Sequence, residues 1–142
     1  MIILDANILI RAVLGTKVPA LLQKYGRQDV FFAPDAAFRE AYAELPVILK
    51  RRGVAVAHGL GLLEQAGAFV RTVALETYAP MEALAHQRLA RRDVNDWPIL
   101  ATALALQHPI WTEDMDFFGC GVATWTTDRV DLYLADAVPI PC

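Results

Sequence analysis

Two cysteines and three histidines are all that this 142-residue chain offers to a soft metal or a disulfide. Cys120 and Cys142 form no C-x-x-C pair, and His58, His86 and His108 are scattered. Neither a zinc site of ordinary spacing nor a disulfide framework can be written from them. That lack fits a reducing compartment, and the expected location is the cytoplasm. A basic surplus is missing too. Thirteen Lys and Arg against 16 Asp and Glu leave a formal net charge of −3, whereas a nucleic-acid binder usually carries excess positive charge. No run reaches the ~20 apolar residues of a bilayer span, so no membrane is expected. Met1-Ile2-Ile3-Leu4 has no basic region before it and is soon interrupted by Asp5, Asn7 and Arg11, unlike a signal peptide. Internal repeats, low-complexity tracts and linkers are also absent.

What is present is apolar: 56% of residues are hydrophobic, which excludes disorder. The length fits one domain spanning 1–142, large enough to bury ~68–70% of its unfolded surface. Short apolar runs at Met1–Leu4, Val30–Ala33, Phe69–Leu75, Pro109–Thr112 and Val122–Thr126 read as strands. Between them, helical periodicity covers Asn7–Leu14, Lys17–Tyr25, Asp35–Leu45, Val54–Ala68, Met81–Ala90 and Ile99–Leu106. Pro46 is expected to kink or restart the third helix before Val47–Arg52, and Asn95 to cap the helix after it. Strands alternating with helices predict an α/β fold with a mainly parallel sheet.

In such a sheet, sites lie beyond the carboxyl ends of the strands, so the acids are read by position. Asp5 follows the first strand directly. Asp114 lies two residues past the Pro109–Thr112 strand, with Asp116 close behind. Asp96 opens a helix, with Asp93 three residues earlier. Glu40 falls on the third helix, with Glu44 one turn later. Taken singly, each is an ordinary helix cap or loop acid. Taken together, Asp5, Glu40, Asp96 and Asp114 cannot all stay ionised without a counter-charge. An all-oxygen set suits Mg²⁺ or Mn²⁺ better than zinc, and such a site can activate water against a phosphodiester.

Three segments carry a resemblance: Leu4-Asp5-Ala6-Asn7-Ile8-Leu9-Ile10, Asp93-Val94-Asn95-Asp96-Trp97-Pro98-Ile99, and Thr112-Glu113-Asp114-Met115-Asp116-Phe117. In order and spacing, from Met1 to about Thr126, the chain resembles the PIN domain, and more narrowly the small bacterial VapC-type toxins. The resemblance implies a three-layer α/β/α sandwich and an Mg²⁺- or Mn²⁺-dependent endoribonuclease. It implies Asp5, Glu40, Asp96 and Asp114 as catalytic acids, with Asp5, Asp96 and Asp114 on the metal. Asn7 and Thr112 match supporting polar positions, and Asp93 and Asp116 match frequent extra acids. An RNA substrate, a cognate antitoxin and a homodimer are implied as partners. Glu44 competes with Glu40 for the helix position, and the Gly-rich 54–67 segment has no match.

The basic groups are local. Lys50-Arg51-Arg52 and Arg88-Arg91-Arg92 either grip phosphate or are solvated helix ends. Arg11, Arg91 and Arg92 are the expected RNA contacts. Trp111 and Trp125 read as core, while Trp97 is a candidate to stack on a base. The competing functions are a catalytically silent binding module on the same scaffold and an aspartate-based phosphotransfer domain. The latter normally needs a lysine after a late strand, and Lys17, Lys24 and Lys50 do not supply one. Four acids gathered round one or two divalent cations would also change the meaning of the −3, which then records the site and not the RNA-facing surface.

Overall fold

The computed structural model describes residues 1–27 and 29–137, so Cys142 lies outside the described residues. The element order is β1 (Ile2–Leu4), α1 (Ala6–Leu14), α2 (Lys17–Tyr25), β2 (Phe31–Pro34), α3 (Asp35–Arg51), α4 (Val56–Gly67), β3 (Val70–Val73), α5 (Leu75–Tyr78), α6 (Glu82–Arg88), α7 (Trp97–Leu106), β4 (Ile110–Trp111), β5 (Thr124–Trp125) and α8 (Val130–Ala137). The strands form one parallel sheet in the order β3-β2-β1-β4-β5.

Parallel crossovers are right-handed. The chain therefore steps outward from β1 to β3 with its helices on one face, then returns to β4 across the other. The packing agrees: α1 touches α2, α3 and α4, whereas α7 touches α5 and α6 and lies on β1, β2 and β4. The result is a three-layer α/β/α arrangement with an all-parallel sheet. Strands covered on both faces are apolar throughout, and β1 and β4 are fully buried. The fully buried Trp111 takes its place in the sheet with its indole N–H donating to Thr127 Oγ1 at 3.1 Å.

Several local expectations are corrected. Pro46 does not restart α3, which runs unbroken through it, held by the buried Ala41, Leu45 and Leu49 on either side. Packing there outweighs the one backbone hydrogen bond that proline removes. Asn95 is not a cap: Asp93 accepts its N–H at 2.9 Å, and Asn95 sits inside a short 3₁₀ turn before α7. The 69–75 strand is only Val70–Val73, because Leu75 already opens α5. The segment after β5 forms α8, anchored by the buried Val130 and Leu134.

Register places the site. Leu4 pairs with Trp111, and the Asp5 N–H donates to the Trp111 carbonyl at 3.1 Å. Asp5 and Thr112 therefore leave the sheet side by side. The strand order reverses between β1 and β4, and the crevice at such a switch point is where α/β sheets bind ligands.

Candidate active site

Asp5 is buried at the N-cap of α1, and both its oxygens are engaged. Oδ1 accepts from the Ala6 N–H at 2.7 Å. Oδ2 accepts from Asn7 Nδ2 at 2.9 Å and from the Thr112 hydroxyl at 2.7 Å. Thr112 Oγ1 in turn accepts from Asn7 Nδ2 at 3.1 Å and from the Asp114 N–H at 2.9 Å. The Asn7 side-chain carbonyl takes the Glu113 N–H at 3.3 Å. One hydroxyl and one amide thus join the ends of β1 and β4, fix the Asp5 rotamer and fold the following loop. Burial raises the Asp5 pKa, with hydrogen bonds from Thr112 and Ala6 opposing and the charges of Asp114 and Glu44 adding.

Two other segments bring acids to the same place. Asp114 caps the 3₁₀ turn Met115–Phe117 by accepting the Asp116 N–H at 2.9 Å. This leaves both half-buried carboxylates within reach of Asp96: one oxygen from each of Asp96, Asp114 and Asp116 lies within 4.8 Å of the others. Asp96 is pushed up to about 8 by desolvation, then by the charges of Asp5, Asp114 and Asp93 and a hydrogen bond with Asp114. Glu40, on α3, is raised to about 7 by desolvation, then by Glu44, Asp5 and Asp93. A cleft of about 230 Å³ is lined by Glu40, Asn95 and Asp96, with Ala36, Ala37 and Pro98 among its walls. A larger cavity of about 600 Å³ opens at the opposite, amino end of β2 and β3, beside Arg27, Asp29 and Arg71, away from these acids.

The donor set fits a hard divalent cation. Asp96 Oδ2 is buried with no hydrogen-bond partner among the described residues. A buried carboxylate oxygen in that condition is costly unless it is protonated or bound to a cation. The acids that group with Asp96, namely Asp114 and Asp116, offer carboxylate oxygens, the ligand type of Mg²⁺ and Mn²⁺.

The profile of the PIN domain matches residues 3–135. The chain belongs to the PIN-domain family. Among solved structures, a chain of a toxin–antitoxin complex from Klebsiella pneumoniae shares the PIN fold with it, at a TM-score of 0.63 and 20% identity, over 89% of this chain and 98% of that one. At that identity the likeness concerns the fold. No curated protein matches the chain.

In this PIN domain, Asp35 also follows a strand at the carboxyl end of the sheet, yet it stands outside the acid group. Its carboxylate accepts from Tyr78 Oη at 2.5 Å, from the Ala36 N–H at 2.8 Å and from Arg39 at 3.4 Å. Glu40 and Glu44 share a hydrogen bond, and each bears on Asp5. Glu40 is the one that lines the cleft. Arg11 and Arg91 are exposed and make no ion pair among the described residues. Arg92 is half-buried, with Nη1 donating to the Asp116 carbonyl at 2.6 Å. Trp97 packs against Tyr78 and His86, each 5.6 Å away between ring centres. Sequence reasoning counted Asp116 as an extra acid. The signal that could have promoted it is the Asp-x-Asp spacing round a single 3₁₀ turn, which turns two carboxylates the same way. The Arg92 contact has no spacing signal at all.

Proposed function

We propose that this PIN domain is a metal-dependent endoribonuclease acting through Mg²⁺ or Mn²⁺, and the toxin of a toxin–antitoxin pair. PIN domains are generally nucleases, and the fold neighbour is part of a toxin–antitoxin complex. The observation that carries the reading is the unpartnered, buried Oδ2 of Asp96, a residue whose carboxylate also groups with those of Asp114 and Asp116. Asp5, Asp96 and Asp114 would hold the cation, with Asp116 joining them. When bound, the cation would supply a Lewis acid that acidifies water and offsets charge on the phosphate.

The chain's own residues do the rest. Thr112 and Asn7 hold Asp5 in one orientation, so its carboxylate need not reorganise as charge builds up. Glu40, with a pKa near neutrality, holds or moves a proton at the cleft wall. Arg11 and Arg91, exposed and outside every ion pair among the described residues, would meet RNA phosphates. An antitoxin, a homodimer and a cytoplasmic setting belong to the same reading. Among the described residues no helix is long and apolar enough to cross a membrane.

The test is cleavage of labelled RNA by purified protein with Mn²⁺, with EDTA as control. Asp5→Asn is expected to abolish cleavage while the circular dichroism spectrum stays that of the wild type. Cleavage that persists in this variant would remove the acid-centred mechanism. Mn²⁺ and RNA binding without cleavage by the wild type would make the chain a silent binding module.

A further inference from the structure

Asp96 and the Asp114–Asp116 pair come from segments that the sheet does not join. Asp96 follows α6 through an irregular turn, while Asp114 and Asp116 sit in the loop between β4 and β5. When ionised, the carboxylates on the two segments repel each other. Two arginines span the gap. Arg92, four residues before Asp96, donates Nη1 to the Asp116 carbonyl at 2.6 Å. Its Nη2 rests on Gly119, 3.2 Å from where a Cβ would stand. Arg88, the last residue of α6, donates Nη1 to the Cys120 carbonyl at 3.2 Å and lies 2.7 Å from the corresponding point on Gly121. Both glycines have left-handed φ, +84° and +90°, which few side chains tolerate. The loop is therefore shaped to receive two guanidinium groups, and the buried Phe117 pins it from beneath.

We propose that Arg92 is a positioning residue: it straps the Asp96 segment to the Asp116 backbone and so sets the carboxylate spacing on which cation affinity depends. The role rests on the metal-nuclease reading above, and it takes Arg92 out of the set of RNA contacts. Arg91 stays in that set, because it is exposed and has no ion-pair partner among the described residues. The planar fork explains the choice of arginine. One arm meets the carbonyl while the other lies along Gly119, and a lysine ammonium cannot do both.

The experiment is calorimetric titration of Mn²⁺ into wild type, Arg92→Lys, Arg92→Ala and Arg91→Ala without RNA, followed by cleavage kinetics. The strap predicts that both Arg92 variants weaken Mn²⁺ binding by about tenfold or more, as losses of outer-shell support commonly do. Their kcat falls while KM for RNA stays close to that of the wild type. Arg91→Ala keeps the Mn²⁺ affinity, binds RNA more weakly and flattens the salt dependence by ~0.7 in log–log slope. If Arg92→Ala fails to fold, Arg92→Lys decides. Wild-type Mn²⁺ affinity in Arg92→Lys, or Arg92 variants that behave like Arg91→Ala, would overturn the strap alone. A wild-type protein that binds no Mn²⁺ would overturn the metal-site reading and the strap with it.

Discussion

Asp96 is held where its neutral form is favoured. With its pKa raised from 3.8 to about 8, the folded chain keeps a proton there that the unfolded chain has already lost. Where the folded state binds more protons, stability falls as pH rises. The cation-free protein should therefore lose stability from about pH 4 toward pH 8 and level off above, with Glu40, raised to about 7, adding in the same direction. Asp96→Asn removes most of that slope. Its melting temperature in EDTA should exceed that of the wild type at pH 8 and match it near pH 4, while Mn²⁺-dependent cleavage is lost. A wild-type melting temperature that does not fall between pH 5 and pH 8 would contradict the crowding of these carboxylates. At this scale much was legible in the sequence: Asp5 and Asp114 stand just past apolar strands, and position alone marks them. The Arg92–Asp116 contact was not legible, because side-chain reach across two irregular segments leaves no periodicity.

Among the elements, α4 is the one whose sequence argues against itself. Gly59, Gly61 and Gly67 weaken a helix, yet it forms, and two of them have opposite environments. A Cβ on Gly59 would fall 2.2 Å from Leu49 Cδ1 and 3.0 Å from Cδ2, whereas one on Gly61 would meet nothing within 4 Å. Leu49 is 1% exposed and has little room to yield. Gly59 is therefore the contact that lets α4 lie close on α3, the helix carrying Glu40. Gly59→Ala should cost about 1–3 kcal/mol through overpacking. Gly61→Ala should gain about 0.5–1 kcal/mol from helix propensity. Urea unfolding of both variants checks this, and shifts of the same sign would refute the assignment. The same balance explains why Pro46 does not restart α3: buried residues on both sides carry the helix through. The strands and their order of appearance were readable from short apolar runs. The ends of β3 and β5 were not, since the sheet stops where pairing stops.

For the molecule as a whole, the net charge of −3 is not spread evenly. Acids are gathered at the switch point of the sheet, and a ligand that binds only the folded state stabilises it by mass action. Mn²⁺ at a hundredfold excess over its dissociation constant should add about 2.7 kcal/mol, read as a rise in melting temperature. The rise should be larger at pH 8 than at pH 5, where protons compete for the same oxygens. Equal shifts at both pH values would place the cation elsewhere. The strand order also has a consequence in time. β1 leaves the ribosome before the other strands but lies at the centre of the sheet, with β4 as one of its neighbours. Asp5 precedes Thr112 by 107 positions, so at ~5–20 residues per second on the order of ten seconds separates the first carboxylate from the hydroxyl that orients it. Until β4 has emerged, a growing chain lacks the Thr112 hydroxyl that holds Asp5, and a product truncated before that point never assembles the group of acids.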